Sequence, residues 1–153
     1  LRLVKQDKAA HLAVKELAPY GEVYVVGGAP RDIILGKEPK DIDLMARVDG
    51  EIIRKVLGDI KGGQVFLTGK QFPVYRFKYK GDEVEIALPR TEEKAGEGNK
   101  DWKVVFGPEI SVEEDLRRRD FTANAIAVNA VTGEVIDPFG GIEDIQRGQI
   151  RTV

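Results

Sequence analysis

The run Val23-Tyr24-Val25-Val26-Gly27-Gly28-Ala29-Pro30-Arg31-Asp32, with Asp41-Ile42-Asp43-Leu44 beginning nine positions later, constrains this chain more than any other stretch. Four apolar residues predict a short buried strand, and the glycine pair predicts a tight turn. Pro30 suits the first turn of a helix, where its missing N–H costs nothing and its fixed φ is already helical. That helix runs through Ile33, Ile34 and Leu35 and stops at Gly36, a C′ glycine. Ile42 to Ala46 predicts the next strand. Aspartates two residues apart on a strand project from one face, so Asp41 and Asp43 are expected side by side.

A glycine turn that opens a helix suits phosphate, because the backbone can approach closely and helix N–H groups point outward. Paired carboxylate oxygens suit Mg²⁺, which often bridges protein to substrate phosphates. Together they point to phosphoryl or nucleotidyl transfer by a two-metal route. Each residue also has a plainer reading. Asp41 and Asp43 can be the solvent side of an edge strand, and Gly27-Gly28 a simple strand-to-helix turn. Glu85, within Val84-Glu85-Ile86-Ala87-Leu88, is either an outward residue of a half-buried strand or a third carboxylate beside the aspartates. There it could ligate metal or take a proton. Arg31 pairs with Asp32 or Asp41, or holds a triphosphate with its planar fork. Arg117-Arg118-Arg119-Asp120 is the densest basic run, passing abruptly into Phe121-Thr122-Ala123-Asn124-Ala125. Such a switch is expected where a helix end lines a pocket. Trp102 and Phe106 are read as packing residues, with base stacking as the alternative.

Elsewhere, Lys5 to Ala18 has helical spacing, halted by Pro19 and Gly21. Asp49 is placed to cap a helix over Glu51 to Leu57. Val65 to Thr68, Val74 to Tyr79 and Val84 to Leu88 read as strands, the last two joined by Lys80-Gly81-Asp82. Thr91 to Lys100, rich in Glu, Gly and Lys, reads as a mobile loop. Ser111-Val112-Glu113-Glu114 is a capping box. Ala125 to Asn129 and Glu134 to Ile136 predict a hairpin, and Gly140-Gly141 precedes a short helix.

With 153 residues the chain suits one domain with a real core. It has no cysteine, which excludes disulfides and thiolate metal sites. No apolar run approaches the roughly 20 residues of a membrane helix. These features fit a cytoplasmic protein. The net charge of −2 gives no basic footprint, which argues against strong nucleic-acid gripping by this chain alone.

Gly27 to Asp32, Leu35-Gly36 and Lys40 to Asp43 resemble the first motif of the class II tRNA nucleotidyltransferases and bacterial poly(A) polymerases, within the DNA polymerase β-like nucleotidyltransferase superfamily. Arg118 to Ala125 resembles their second motif, Glu85 to Glu92 the strand bearing the third acidic residue, and Asp137 to Arg151 the end of their catalytic head. Ala123 stands where many members carry Ile or Val.

The resemblance implies an α+β fold: a mixed, largely antiparallel sheet flanked by helices, not a doubly wound one. It implies Mg²⁺ at Asp41 and Asp43, with Glu85 as third catalytic carboxylate. Nucleotide contacts are implied at Gly27, Gly28, Arg31 and Arg119, with Asp120 and Asn124 shaping the pocket. The implied reaction is attack of a tRNA 3′-hydroxyl on the α-phosphate of ATP or CTP. Residues 1–153 would be the catalytic head, with the neck, body and tail expected downstream absent. The resemblance implies that base choice and most of the tRNA grip belong to those regions. The rival readings are the head of a poly(A) polymerase, transfer to a non-RNA acceptor, and a non-catalytic nucleotide-binding module.

Overall fold

The computed structural model describes residues 2–94 and 102–153. The chain starts with two helices rather than one, α1 (Arg2–Gln6) and α2 (Lys8–Leu17). Asp7 divides them: its side chain accepts from the Ala10 N–H and so caps α2. β1 (Val23–Val26), α3 (Gly28–Ile34), β2 (Asp43–Ala46) and α4 (Gly50–Gly58) follow. Gly36 does terminate α3, at φ +73°, and Asp49 does cap α4, accepting from the Glu51 N–H. Then come β3 (Gly63–Thr68), β4 (Val74–Tyr79) and β5 (Asp82–Ala87).

The expected loop after Leu88 is in part a strand. β6 (Arg90–Lys94) pairs antiparallel with β7 (Trp102–Phe106). Cross-strand pairing outweighs the poor strand propensity of Glu92, Glu93 and Lys94. The remainder of that expected loop, 95–100, lies outside the described residues. Phe106 is 42% exposed rather than packed, and the Trp102 side chain lies outside the description. α5 (Val112–Arg117) opens on the Ser111/Glu114 capping box. β8 (Ala127–Asn129), β9 (Val135–Ile136) and α6 (Gly141–Arg147) complete the chain.

Seven strands form one sheet in the order β3-β4-β5-β2-β1-β8-β9, and β6-β7 form a separate pair. Every neighbouring pair is antiparallel except β2 and β5, which are parallel. The fold is therefore α+β and largely antiparallel, as the sequence implies.

Strand alternation sorts side chains to two faces. Val23, Val25, Leu44, Ala46, Tyr75, Phe77, Val84 and Ile86 face the larger core. α2 and α4 cover it. α2 presents Ala9, Ala10, Ala13, Val14 and Leu17, spaced three and four apart on one helical stripe. Each fully buried Leu or Phe there is worth about 1.5–3 kcal/mol of transfer free energy. On the other face Tyr24, Val26 and Met45 pack with Val112 and Leu116 of α5 and with Ala125 and Ala127. α5 covers only part of this second face, and that leaves room for the site. The C-terminal segment is tied down by buried Asp144, which accepts from the Thr122 hydroxyl and, at 3.0 Å, from Arg151 Nε.

Candidate active site

The strand register brings the acidic residues together. Val26 of β1 pairs with Asp43 of β2, and Asp43 pairs in parallel with Glu85 of β5. Cross-strand partners point to the same face, so the two carboxylates are lateral neighbours on the half-covered face. Asp41 stands just before β2, in an exposed position, rather than on the strand. It still lines one cavity with Asp43 and Glu85. Among the described residues, no three Asp, Glu, His or Cys side chains are gathered in metal-holding geometry. Burial first, then the charges of Glu85 and Asp41, raises the Asp43 carboxyl above its usual range, while Arg119 opposes the rise. The site concentrates negative charge that a cation would relieve.

Gly27 holds φ +76°, ψ −136°, a conformation a side chain would strain. A Cβ there would also come within 3.0 Å of Asp43 Oδ2. The glycine turn therefore lies directly against the carboxylate. The helix it opens, α3, has only seven residues. Arg31 takes neither of its expected partners alone: Nη1 donates to Asn124 Oδ1 at 2.9 Å, and Nε sits 3.5 Å from Asp32. Gly27, Gly28, Arg31, Arg119, Asp120 and Asn124 line one pocket, so all six residues expected around a nucleotide lie together.

Three further arginine contacts complete the basic wall. Asp115, 1% exposed, lies 3.4 Å from Arg118 Nη2 and 3.2 Å from Arg119 Nη2. It also accepts from the Arg90 N–H at 2.9 Å. Burial lowers the Arg118 pKa, and Asp115 opposes that effect. Among the described residues, the Nε atoms of Arg118 and Arg119 are buried without a hydrogen-bond partner. The Arg90 guanidinium stacks 3.6 Å from the Phe72 ring centroid. A cleft of about 330 Å³ joins Gly27, Asp43 and Glu85 to Phe72, Arg90, Arg118 and Arg119. Acidic and basic walls thus face one another across one opening.

A family model described as the poly A polymerase head domain matches residues 23–151, a span that begins at β1 and contains every one of these side chains. The chain belongs to the poly A polymerase head domain family. Among curated relatives of this head domain, the multifunctional CCA protein of Xanthomonas campestris is 41% identical over 132 residues, covering 86% of this chain and 30% of its own. That of Nitrosococcus oceani is 42% identical over 132 residues, with the same coverage. The chain therefore spans 30% of the length of these relatives. The Bacillus stearothermophilus CCA-adding enzyme in complex with CTP superposes with TM-score 0.74 at 33% identity, covering 95% of this chain and 33% of that one. The Thermotoga maritima CCA-adding enzyme complexed with tRNA gives 0.70 at 27% identity, covering 99% and 35%.

Sequence reasoning passed over Asp115, Arg90, Phe72 and Arg76 in this head domain. Asp115 had a signal: it precedes Arg118 and Arg119 by three and four residues, the spacing of neighbours on a helix face. Arg76 pairs in register with Glu85, with its Nε 3.6 Å from the carboxylate, and it ion-pairs with Glu83. Arg90 and Phe72 meet only through the fold. Among the described residues, no helix is long and apolar enough to cross a membrane.

Proposed function

We propose that this chain is the catalytic head of a tRNA nucleotidyltransferase that adds C, A or both from CTP and ATP to a tRNA 3′ end. The observation that carries this reading is the lateral pairing of Asp43 with Glu85 directly against the Gly27 turn. It sets carboxylates and a tight glycine turn at one point, facing a wall of arginines. The names of the curated relatives favour CCA addition over poly(A) synthesis. The neighbouring enzymes described with CTP and with tRNA supply the substrate classes.

Asp41 and Asp43 would hold a divalent cation, with Glu85 beside them. One or two carboxylates plus substrate phosphates and water suit Mg²⁺, and the donor set here is all hard oxygen, so we assign Mg²⁺. When bound, the metal supplies charge neutralisation at the reacting phosphate and a more acidic acceptor hydroxyl. Gly27 and Gly28 let the triphosphate approach the backbone. Arg31 and Arg119 hold it by charge-assisted hydrogen bonds, and Asp120 and Asn124 shape the wall around them. A bond forms between the RNA O3′ and the α-phosphorus as the bond to pyrophosphate breaks. Glu85 takes the hydroxyl proton, and the arginines stabilise the departing pyrophosphate. Residues 1–153 form the head unit of a longer architecture in this reading.

Incubation with tRNA, Mg²⁺ and labelled ATP or CTP separately tests the proposal. Incorporation limited to a few residues at the tRNA end is expected. Long homopolymer on generic RNA would instead identify a poly(A) polymerase head. Nucleotide binding with no transfer to any RNA would leave only a binding module.

A further inference from the structure

Asp43 and Glu85 do not merely line a cleft; they separate two cavities. On one side is the basic cleft with Gly27, Arg90, Arg118 and Arg119. On the other is a cavity bounded by Asp41, Ile42, Arg76 and Glu83 together with the same two carboxylates. In displacement at phosphorus the attacking and leaving oxygens are roughly in line. Pyrophosphate, the leaving group, belongs with the arginines. The attacking hydroxyl must then arrive from the opposite side, through the cavity that contains Arg76.

The register shows what lies further out on that side. Glu85 pairs with Arg76 and Arg76 pairs with Phe66, so Asp43, Glu85, Arg76 and Phe66 form one row across four strands. Glu83 and Lys78 pair two positions along and share the same face. Phe66 is 45% exposed, and the Arg76 and Lys78 side chains are 45% and 52% exposed. Lys78 Nζ lies 5.5 Å from the Phe66 ring centroid. Glu83 ion-pairs with both cations and so fixes them beside the ring. Three strand spacings, about 14 Å, separate Phe66 from Asp43. An exposed ring flanked by fixed cations on an open sheet face matches single-stranded RNA, whose bases stack on aromatic rings while its phosphates meet Lys and Arg.

We propose that Phe66, Arg76 and Lys78 form the docking track for the 3′-terminal nucleotides of the acceptor RNA. The terminal 3′-hydroxyl enters the outer cavity at Glu85, Arg76 and Lys78 meet the last internucleotide phosphates, and a base just upstream stacks on Phe66. This deepens the transferase reading and rests on it.

Fluorescence anisotropy with a short labelled single-stranded RNA bearing a free 3′-hydroxyl tests the track. Phe66→Ala should weaken RNA binding about tenfold. An Arg76→Gln/Lys78→Gln double variant should weaken it further and lower its salt dependence. A 4-thiouridine placed one nucleotide upstream of the RNA 3′ end should crosslink within residues 63–79. In Phe66→Ala the affinity for ATP with Mg²⁺, read by calorimetry, should equal that of the parent chain. Unchanged RNA affinity in both variants, crosslinks confined to the Arg118-Arg119 wall, or no RNA binding by the parent chain would overturn the track. Loss of the parent chain's ATP binding would strike the transferase reading instead, because that measurement contains no RNA.

Discussion

Asp115 Oδ1 lies 3.2 Å from Arg119 Nη2, and the same carboxylate, 1% exposed, also holds Arg118. One buried anion thus anchors two of the guanidiniums that form the basic wall. Removing it leaves two mostly buried cations without their counter-ion, which is far costlier than losing a surface pair. Asp115→Ala should destabilise the fold by about 3 kcal/mol, read as a lower urea midpoint. A midpoint within error of the parent would show that the arginines relax to solvent and that Asp115 does not organise them.

The raised pKa of Asp43 makes a signed prediction about stability. The folded chain binds this proton more tightly than the unfolded chain, whose Asp titrates at its ordinary value of 3.8. The stability carried by the protonated form is full below that value and is lost as pH rises through the higher folded pKa. At neutral pH without metal the ionised group therefore opposes folding. Asp43→Asn should raise the melting temperature of the metal-free protein at pH 7, with the gain vanishing near about pH 3, where both side chains are neutral. Mg²⁺ should stabilise the parent and not the variant. A lower melting temperature for the variant at neutral pH would contradict the electrostatic picture.

Gly27 should resist substitution for two separable reasons. Its φ of +76° strains any side chain, and an added Cβ would come within 3.0 Å of Asp43 Oδ2. Gly27→Ala should cost roughly 1–2 kcal/mol of stability from backbone strain. It should also lower ATP affinity beyond what the lost stability explains. Calorimetry well below the variant's melting temperature separates the two. Unaltered ATP affinity there would remove the turn from the phosphate site.

The legible parts of this protein were those written in local chemistry. The Gly27 turn, the Gly36 stop, the Asp49 cap and the Ser111/Glu114 box each satisfy nearby backbone groups, so a few residues suffice to see them. The resemblance to known motifs extended that reading to the sheet type and to the residues gathered around Gly27. Long-range pairing was harder to see. Asp41 shares a cavity with Asp43 without sharing its strand, and Arg90 to Lys94 became a strand because β7 lies beside it. Arg31 found Asn124, 93 residues away, instead of a local acid alone. Arg76 reaches Glu85 only because β4 and β5 are in that register. No periodicity within either segment encodes such a meeting.

In the proposed mechanism Asp43 and Glu85, with Asp41, form a cation site completed by the nucleotide. Electron paramagnetic resonance of Mn²⁺ titrated into the protein, with and without ATP, reads that site. Mn²⁺ binding should tighten when ATP is added, be abolished in Asp43→Asn and be weakened in Glu85→Gln. Mn²⁺ binding of equal strength in the parent chain and Asp43→Asn, with ATP present, would contradict that mechanism.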